Sequence, residues 1–281
     1  MKGKTPWLIA AGAVVLVLII AAAFALLNPT HPAKRPAAAV GPQPPSPSAP
    51  AAPPAPPVPF AYSSKANGVD LSLKLPQALA DAPELHARLY NSGMTELHTF
   101  AKQSAGQKND IGVPYEHDLV WTVAAQTDKL TSLESDTYEF SGGAHGNTAL
   151  QSLLWDRSLK AQIKPMALFK SGADHARLDG LLCRAIMTAK KAREQDGFNA
   201  SDSMWPCPKW AQSVFVLAPS DQAGKAGGVT FLFSPYAIGP YSDGVYEITI
   251  PQQAFHNALA PAYADEFAGK PPKVGDTTPT Q

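Results

Sequence analysis

The segment that most constrains this chain is Trp7–Leu27, WLIAAGAVVLVLIIAAAFALL, which carries no charge and no strongly polar side chain. A helix rises about 1.5 Å per residue, so about 20 apolar residues span a hydrocarbon core of about 30 Å. A single transmembrane helix is therefore expected over 7–27. Lys2 and Lys4 precede it, and cations are retained on the cytoplasmic side; Trp7 stands where an aromatic ring rests at the interface. Lys34 and Arg35 weaken this bias, but the short tail 1–6 cannot hold a domain, so the expected arrangement puts 1–6 inside and the remainder outside. A cleaved signal peptide is the competing reading, with Ala21-Ala22-Ala23 and Ala23-Phe24-Ala25 as cleavage triplets. Its apolar core would be only roughly 7 to 15 residues, shorter than this run. Both readings export the domain. No cysteine lies near the end of the span, which excludes a lipoprotein anchor.

Residues 28–59 are mostly proline and alanine, with a few Ser, Gly and Val among the rest. Such a segment cannot bury enough apolar surface to offset ordering, and proline removes backbone donors. It reads as an extended spacer, about 3.1 Å per residue where it is polyproline II. Beyond it, 60–268 has the length of one large domain or two small lobes. The tail 269–281 (GKPPKVGDTTPTQ) reads as disordered. The 23 basic and 23 acidic residues balance, and no basic stripe favours nucleic acid.

Val69, Leu71, Leu73 and Leu75 alternate with polar residues, the period of a strand with one buried face. Asp81 and Pro83 mark a helix start, and Leu85, Leu89, Leu97, Phe100 and Ala101 follow at helical spacing, with an interruption near Gly93. Strands are expected over 113–127 and 130–140, joined by a hairpin at Asp128-Lys129, and over 148–155, 213–217, 229–233 and 244–250. Helices are expected over 166–194 and from Pro251 through Phe255, Leu259 and Tyr263. Strands grouped in hairpins with helices between the groups argue α+β, with antiparallel sheets and flanking helices.

Two loops are the candidate ligand-binding sites. Ser141-Gly142-Gly143-Ala144-His145-Gly146-Asn147 follows a strand, and its glycines permit positive φ and close backbone approach. The segment 234–244 (SPYAIGPYSDG) carries Tyr236, Tyr241 and Asp243; tyrosine offers a flat face and a hydroxyl to a sugar or a protein. The bland alternatives are a tight strand connection with His145 satisfied locally, and tyrosines packed beneath their own loop. The two loops are expected to lie near each other. A third segment, Trp205-Pro-Cys-Pro-Lys-Trp210, either exposes two tryptophans or covers the core with them. Cys183 and Cys207 are disulfide candidates in an exported chain, Cys183 being equally readable as a small core residue. His86, His98, His117 and His175 form no H-x-x-x-H or H-E-x-x-H arrangement, and G-x-S-x-G, P-loop and dinucleotide motifs are absent. No catalytic set, metal site or cofactor is expected.

The residues 138–146 (YEFSGGAHG), 164–169 (KPMALF) and 233–241 (FSPYAIGPY) together resemble the extracytoplasmic domain of RsiV-type lysozyme-sensing anti-sigma factors. They also resemble the related domain beside the catalytic unit of PdaC-type peptidoglycan deacetylases. The resemblance covers 138–268 as a C-terminal half and extends more loosely over 60–137. It implies an α+β domain outside the cytoplasmic membrane of a bacterium, with binding of a lysozyme in one branch. The chain departs from both parents: 1–6 is too short to hold a sigma factor, and the deacetylase's metal-binding Asp and paired His are missing. The expected function is a membrane-anchored periplasmic binding or sensing module for a lysozyme-like envelope protein or for peptidoglycan. The alternatives are an envelope hydrolase using Ser141 or His145, oriented by a carboxylate such as Asp243, and a structural tether between membrane and wall.

Overall fold

Alternating burial in the segment Val69–Lys74, where Val69, Leu71 and Leu73 are buried and Asp70, Ser72 and Lys74 are not, places it in a sheet with one covered face. In the computed structural model, residues 57–107, 112–193 and 205–279 are described. The expected membrane helix at 7–27, nearly all of the spacer, and the end of the predicted second helix at Glu194 lie outside them. Among the described residues no helix is long and apolar enough to cross a membrane.

The elements are β1 (Ala61–Ala66), β2 (Val69–Lys74), α1 (Pro83–Ser104), β3 (Tyr115–Gln126), β4 (Leu130–Phe140), β5 (Asn147–Asp156), β6 (Ala161–Ile163), α2 (His175–Ala192), β7 (Phe215–Pro219), β8 (Ala226–Phe233), β9 (Tyr246–Pro251), α3 (Pro261–Ala264) and β10 (Gly275–Asp276). Strands β1 to β6 form a six-stranded sheet in sequence order, and the other four form a second sheet ordered β10-β9-β8-β7. All pairings are antiparallel except β2 with β3, which α1 connects as a crossover. The domain is thus α+β and mainly antiparallel.

The pleat sorts the side chains into layers. Leu133 of β4 and Leu153 of β5 face α1, sharing a cluster with Leu85, Leu89 and Leu97. Leu150 meets Val216 and Leu232 of the second sheet on the opposite face. Leu178, Leu182 and Ile186 of α2 pack with Phe215, Val229, Phe231 and Ile248. The layers run α1, first sheet, second sheet, α2. Strand β8 is buried along its whole length because both of its faces are covered.

Several expectations are corrected. The first helix runs through Gly93 without a break: a Cβ there would sit 2.9 Å from a Leu73 methyl and 3.2 Å from a Leu119 methyl, so the glycine permits close helix–sheet approach. Asp81 ends a short 3-10 turn and does not cap the helix. The second helix starts at His175, capped by the Asp174 carboxylate accepting from the Arg177 amide at 3.0 Å, and only a 3-10 turn forms over Pro165–Leu168. The expected last helix is broken into 3-10 turns and the short α3, because Leu259 turns extended and bridges Phe169. The tail is not disordered through its described residues. Arg193 grips Asp276 with Nε at 2.5 Å and Nη2 at 2.9 Å, and β10 pairs with β9. Cys183 and Cys207 are joined as a disulfide, and Trp210 is fully buried among Phe169, Phe231 and Phe255.

Candidate functional site

The connection from β4 to β5 is the glycine loop, with Gly142 at φ 98° and Gly143 at φ 92°, a region glycine enters without steric cost. The ring of Tyr138 lies beneath Gly146, where an added Cβ would meet it at 2.4 Å. His145 is exposed. Its Nδ1 donates to the Gly146 carbonyl at 2.8 Å, which makes Nε2 of the neutral ring an acceptor.

The tyrosine loop from β8 to β9 reaches the same place. Tyr241 stacks on His145 with centroids 3.9 Å apart, and its hydroxyl donates to the Gly146 carbonyl at 2.9 Å. Tyr236 leans on Tyr241 at 5.5 Å, is 55 % exposed, and holds φ at 70°. Positive φ on a bulky residue is uncommon and is held in place by its surroundings. Three aromatic rings therefore form one continuous surface where the two loops meet.

Asp243 sits elsewhere. It is buried, and Lys190 of α2 donates to it at 2.7 Å and to the Ile238 carbonyl at 2.9 Å. Gly239 closes over the pair, since a Cβ there would meet Asp243 Oδ2 at 2.2 Å and Lys190 Nζ at 2.6 Å. A buried carboxylate engaged by an ammonium offers nothing to a ligand, so Asp243 is corrected from a ligand-binding residue to the pin that shapes the tyrosine loop. It does not orient His145.

Below the rings a cleft of about 320 Å³ opens on the α1 face of the first sheet, lined by Glu96, His117, Thr137, Glu139, Ser141, His145, Asn147, Ala149 and Gln151. Register builds its floor: His117, Glu139 and Asn147 are paired across β3, β4 and β5, with Thr137 and Ala149 as the next row on the same face. Glu96 comes from α1. His117 is 4 % exposed; its Nε2 lies 3.0 Å from Glu96 Oε1 and its Nδ1 3.4 Å from Glu139 Oε2. Phe100 stacks on the ring at 4.9 Å. Of the expected residues, Ser141 and His145 line the cleft, while Gly142 and Gly143 shape its loop. Glu96, His117 and Glu139 were not anticipated. One signal was available: His117 stands between Tyr115 and Leu119 on the inward phase of β3.

Residues 63–148 match the family described as deacetylase PdaC, and residues 166–253 match the one described as a protein of unknown function, DUF3298. The glycine loop closes the first match and the tyrosine loop lies in the second. No curated protein matches the sequence. A crystal structure of a DUF3298 family protein from Pseudomonas aeruginosa PAO1 is similar with a TM-score of 0.53 at 22 % identity, covering 75 % of this chain and 94 % of that one. A member of the same family from Bacteroides fragilis NCTC 9343 gives a TM-score of 0.47 at 20 % identity, covering 70 % and 88 %. The Pseudomonas likeness shows a shared fold.

Proposed function

We propose that this chain is a binding module of the bacterial cell envelope, anchored in the cytoplasmic membrane by 7–27 with its domain outside. Its ligand would be a lysozyme-like protein or peptidoglycan, in the manner of the RsiV-type domains it resembles. The observation that carries the reading is the junction of the two loops. Segments 95 residues apart in sequence are tied through the Gly146 carbonyl and present stacked aromatic rings at the mouth of a polar cleft. Rigid aromatic area beside adaptable polar groups is the composition of recognition surfaces.

The hydrolase reading loses its support in this geometry. Asp243 is engaged by Lys190, Nδ1 of His145 is committed to a backbone carbonyl, and among the described residues no carboxylate hydrogen-bonds to that imidazole. The tether reading requires a surface without a concave site or exposed aromatics, whereas Tyr236 is exposed beside the cleft.

The test is a pull-down with the full chain in mild detergent, presented to lysozyme and to purified peptidoglycan at physiological salt. Saturable capture of either, weakened by Tyr241→Ala, is the expected result. Absence of capture from both would end this reading.

A further inference from the structure

Strand β5 lays a row of side chains along the cleft. Asn147, Ala149 and Gln151 stand two residues apart on one face of the strand. At about 3.4 Å per residue the two amides are set about 14 Å apart, and the small Ala149 leaves a hollow between them. Asn147, Gln151 and the neighbouring Ser141 are exposed, and among the described residues their side chains have no hydrogen-bond partner. Each amide offers both donors and an acceptor, and so does the hydroxyl. The rings stand at the mouth. His145 lines the cleft with one face covered by Tyr241 and, among the described residues, no ring on the other. Tyr236 is 55 % exposed at φ 70°, a conformation that a bulky residue holds only where its surroundings impose it. Its loop is pinned by the buried Lys190–Asp243 pair, so the ring is presented to solvent by a fixed backbone.

We infer that this cleft and its aromatic rim bind an oligosaccharide that carries acetamido groups. The inference deepens the binding reading above and rests on it. A pyranose ring has two kinds of surface: C–H groups on its faces, and hydroxyls that both donate and accept around its edge. The C–H faces suit the negative face of an aromatic ring, and the edge suits side chains able to donate and accept at once. Both kinds of partner are present and separated as the ligand needs, with His145 and Tyr236 at the rim and Ser141, Asn147 and Gln151 within. An acetamido group adds one N–H and one carbonyl, which a side-chain amide matches with a donor and an acceptor of its own; that is the role of Asn147 and Gln151. Glu96 and Glu139, already turned toward His117, are further acceptors for hydroxyls. The volume of about 320 Å³ lies at the small end of the range of about 300–1,000 Å³ found for small-molecule sites, which suits a short stretch of glycan whose remaining rings cross the rim. A protein partner is the rival occupant. An ordinary protein interface covers about 800 Å² on each side around a centre depleted of charge, whereas the centre here is a polar hollow.

The experiment is saturation-transfer NMR on the full chain in micelles of a detergent without a sugar headgroup. The probes are tri-N-acetylchitotriose, the peptide-free disaccharide of N-acetylglucosamine and N-acetylmuramic acid, and cellotriose, which has hydroxyls in place of the acetamido groups. At least one acetylated probe is expected to bind saturably, and cellotriose at least about tenfold more weakly, as the loss of paired amide bonding implies. The tighter of the two acetylated probes identifies the source of the glycan. Tyr236→Ala, and separately Asn147→Ala with Gln151→Ala, should each weaken binding by about tenfold. All three side chains are exposed, so the unfolding temperature should move by no more than a few degrees and the loss reads as loss of contact. Failure of both acetylated probes to bind, equal binding of cellotriose, or binding that survives both variants would each overturn the assignment. Capture of lysozyme without saccharide binding would remove this inference and leave the binding module standing. Saccharide binding without capture of lysozyme or peptidoglycan would end the envelope reading and leave the assignment of the cleft in place.

Discussion

The imidazole of His145 and the phenol of Tyr241 stack 3.9 Å apart, and both donate to one carbonyl, that of Gly146. The stack and the shared acceptor make separable contributions. Tyr241→Phe keeps the ring and removes one hydrogen bond, worth about 0.5–1.5 kcal/mol. The expected loss is at the lower end because the hydroxyl is only part-buried, which in a domain of this size lowers the unfolding temperature by about 2–4 °C per kcal/mol. Tyr241→Ala removes the stack as well and should cost more, in stability and in ligand capture alike. Thermal unfolding of the two variants side by side measures the difference; identical curves would mean that the stack holds nothing.

Lys190 and Asp243 form an ion pair with side chains 5 % and 4 % exposed. Leaving either charge alone in that environment costs about 3–5 kcal/mol, whereas replacing both by apolar groups of similar volume is often nearly neutral. Asp243→Ala should therefore be severely destabilising, and Lys190→Met with Asp243→Leu less so than the sum of the single changes. Urea denaturation of the three variants closes a double-mutant cycle. Additive losses would show that the pair does not act as a unit in holding the tyrosine loop.

Much of this architecture is legible in local pattern. Alternation marks β2 and β9, and glycine and tyrosine content marks both loops. What pattern does not carry is partner choice. Strand β1 (AYSSKA) has no apolar alternation and is held by pairing with β2 and by Tyr62 packed against the α1-side cluster. The parallel pairing of β2 with β3 depends on where α1 packs. Strand β10 exists because Arg193 and β9 recruit a polar tail. The same limit governs the site. Asp243 reads as a loop carboxylate facing water until Lys190, 53 residues earlier, is brought beneath it. His117 has no spacing motif, and its meaning comes from Glu139 across the ladder and Glu96 from the helix above, neither of which lies near it in sequence.

The space between the two sheets holds a titratable cluster. Glu134 and Glu247 line a groove there with Thr230, Thr249 and Thr277. Burial, then the charges of Glu247 and Asp136, pushes the Glu134 carboxyl up to about 7, and burial also raises Glu247 and Asp136. A carboxyl raised on folding binds more protons in the native state than in the unfolded one, so stability falls as pH rises from the unfolded value of 4.5 through about 7 and stays lower above. Glu134→Gln removes most of that slope. The wild type should lose more thermal stability between pH 5 and pH 8 than the variant does, and the variant should be the more stable of the two at pH 8. Parallel pH profiles would show that Glu134 is solvated like a surface carboxylate.

The disulfide between Cys183 and Cys207 closes a loop across a sequence separation of 24, tying α2 to the segment that delivers Trp210 to the core. Lost loop entropy makes such a closure worth about 3 kcal/mol, acting mainly on the unfolded chain. Trp210 is gripped independently, with its amide donating to Asp179 at 2.8 Å and its ring in contact with Phe169, Phe231 and Phe255. Reduction should therefore leave the native packing in place while lowering the free energy of unfolding. Cys183→Ala with Cys207→Ala is expected to show near-native tryptophan fluorescence at room temperature and an unfolding temperature several degrees lower, with the oxidised wild type losing the same increment on addition of a thiol reductant. A shift in fluorescence at room temperature would instead place the bridge among the interactions that hold Trp210 in the folded state.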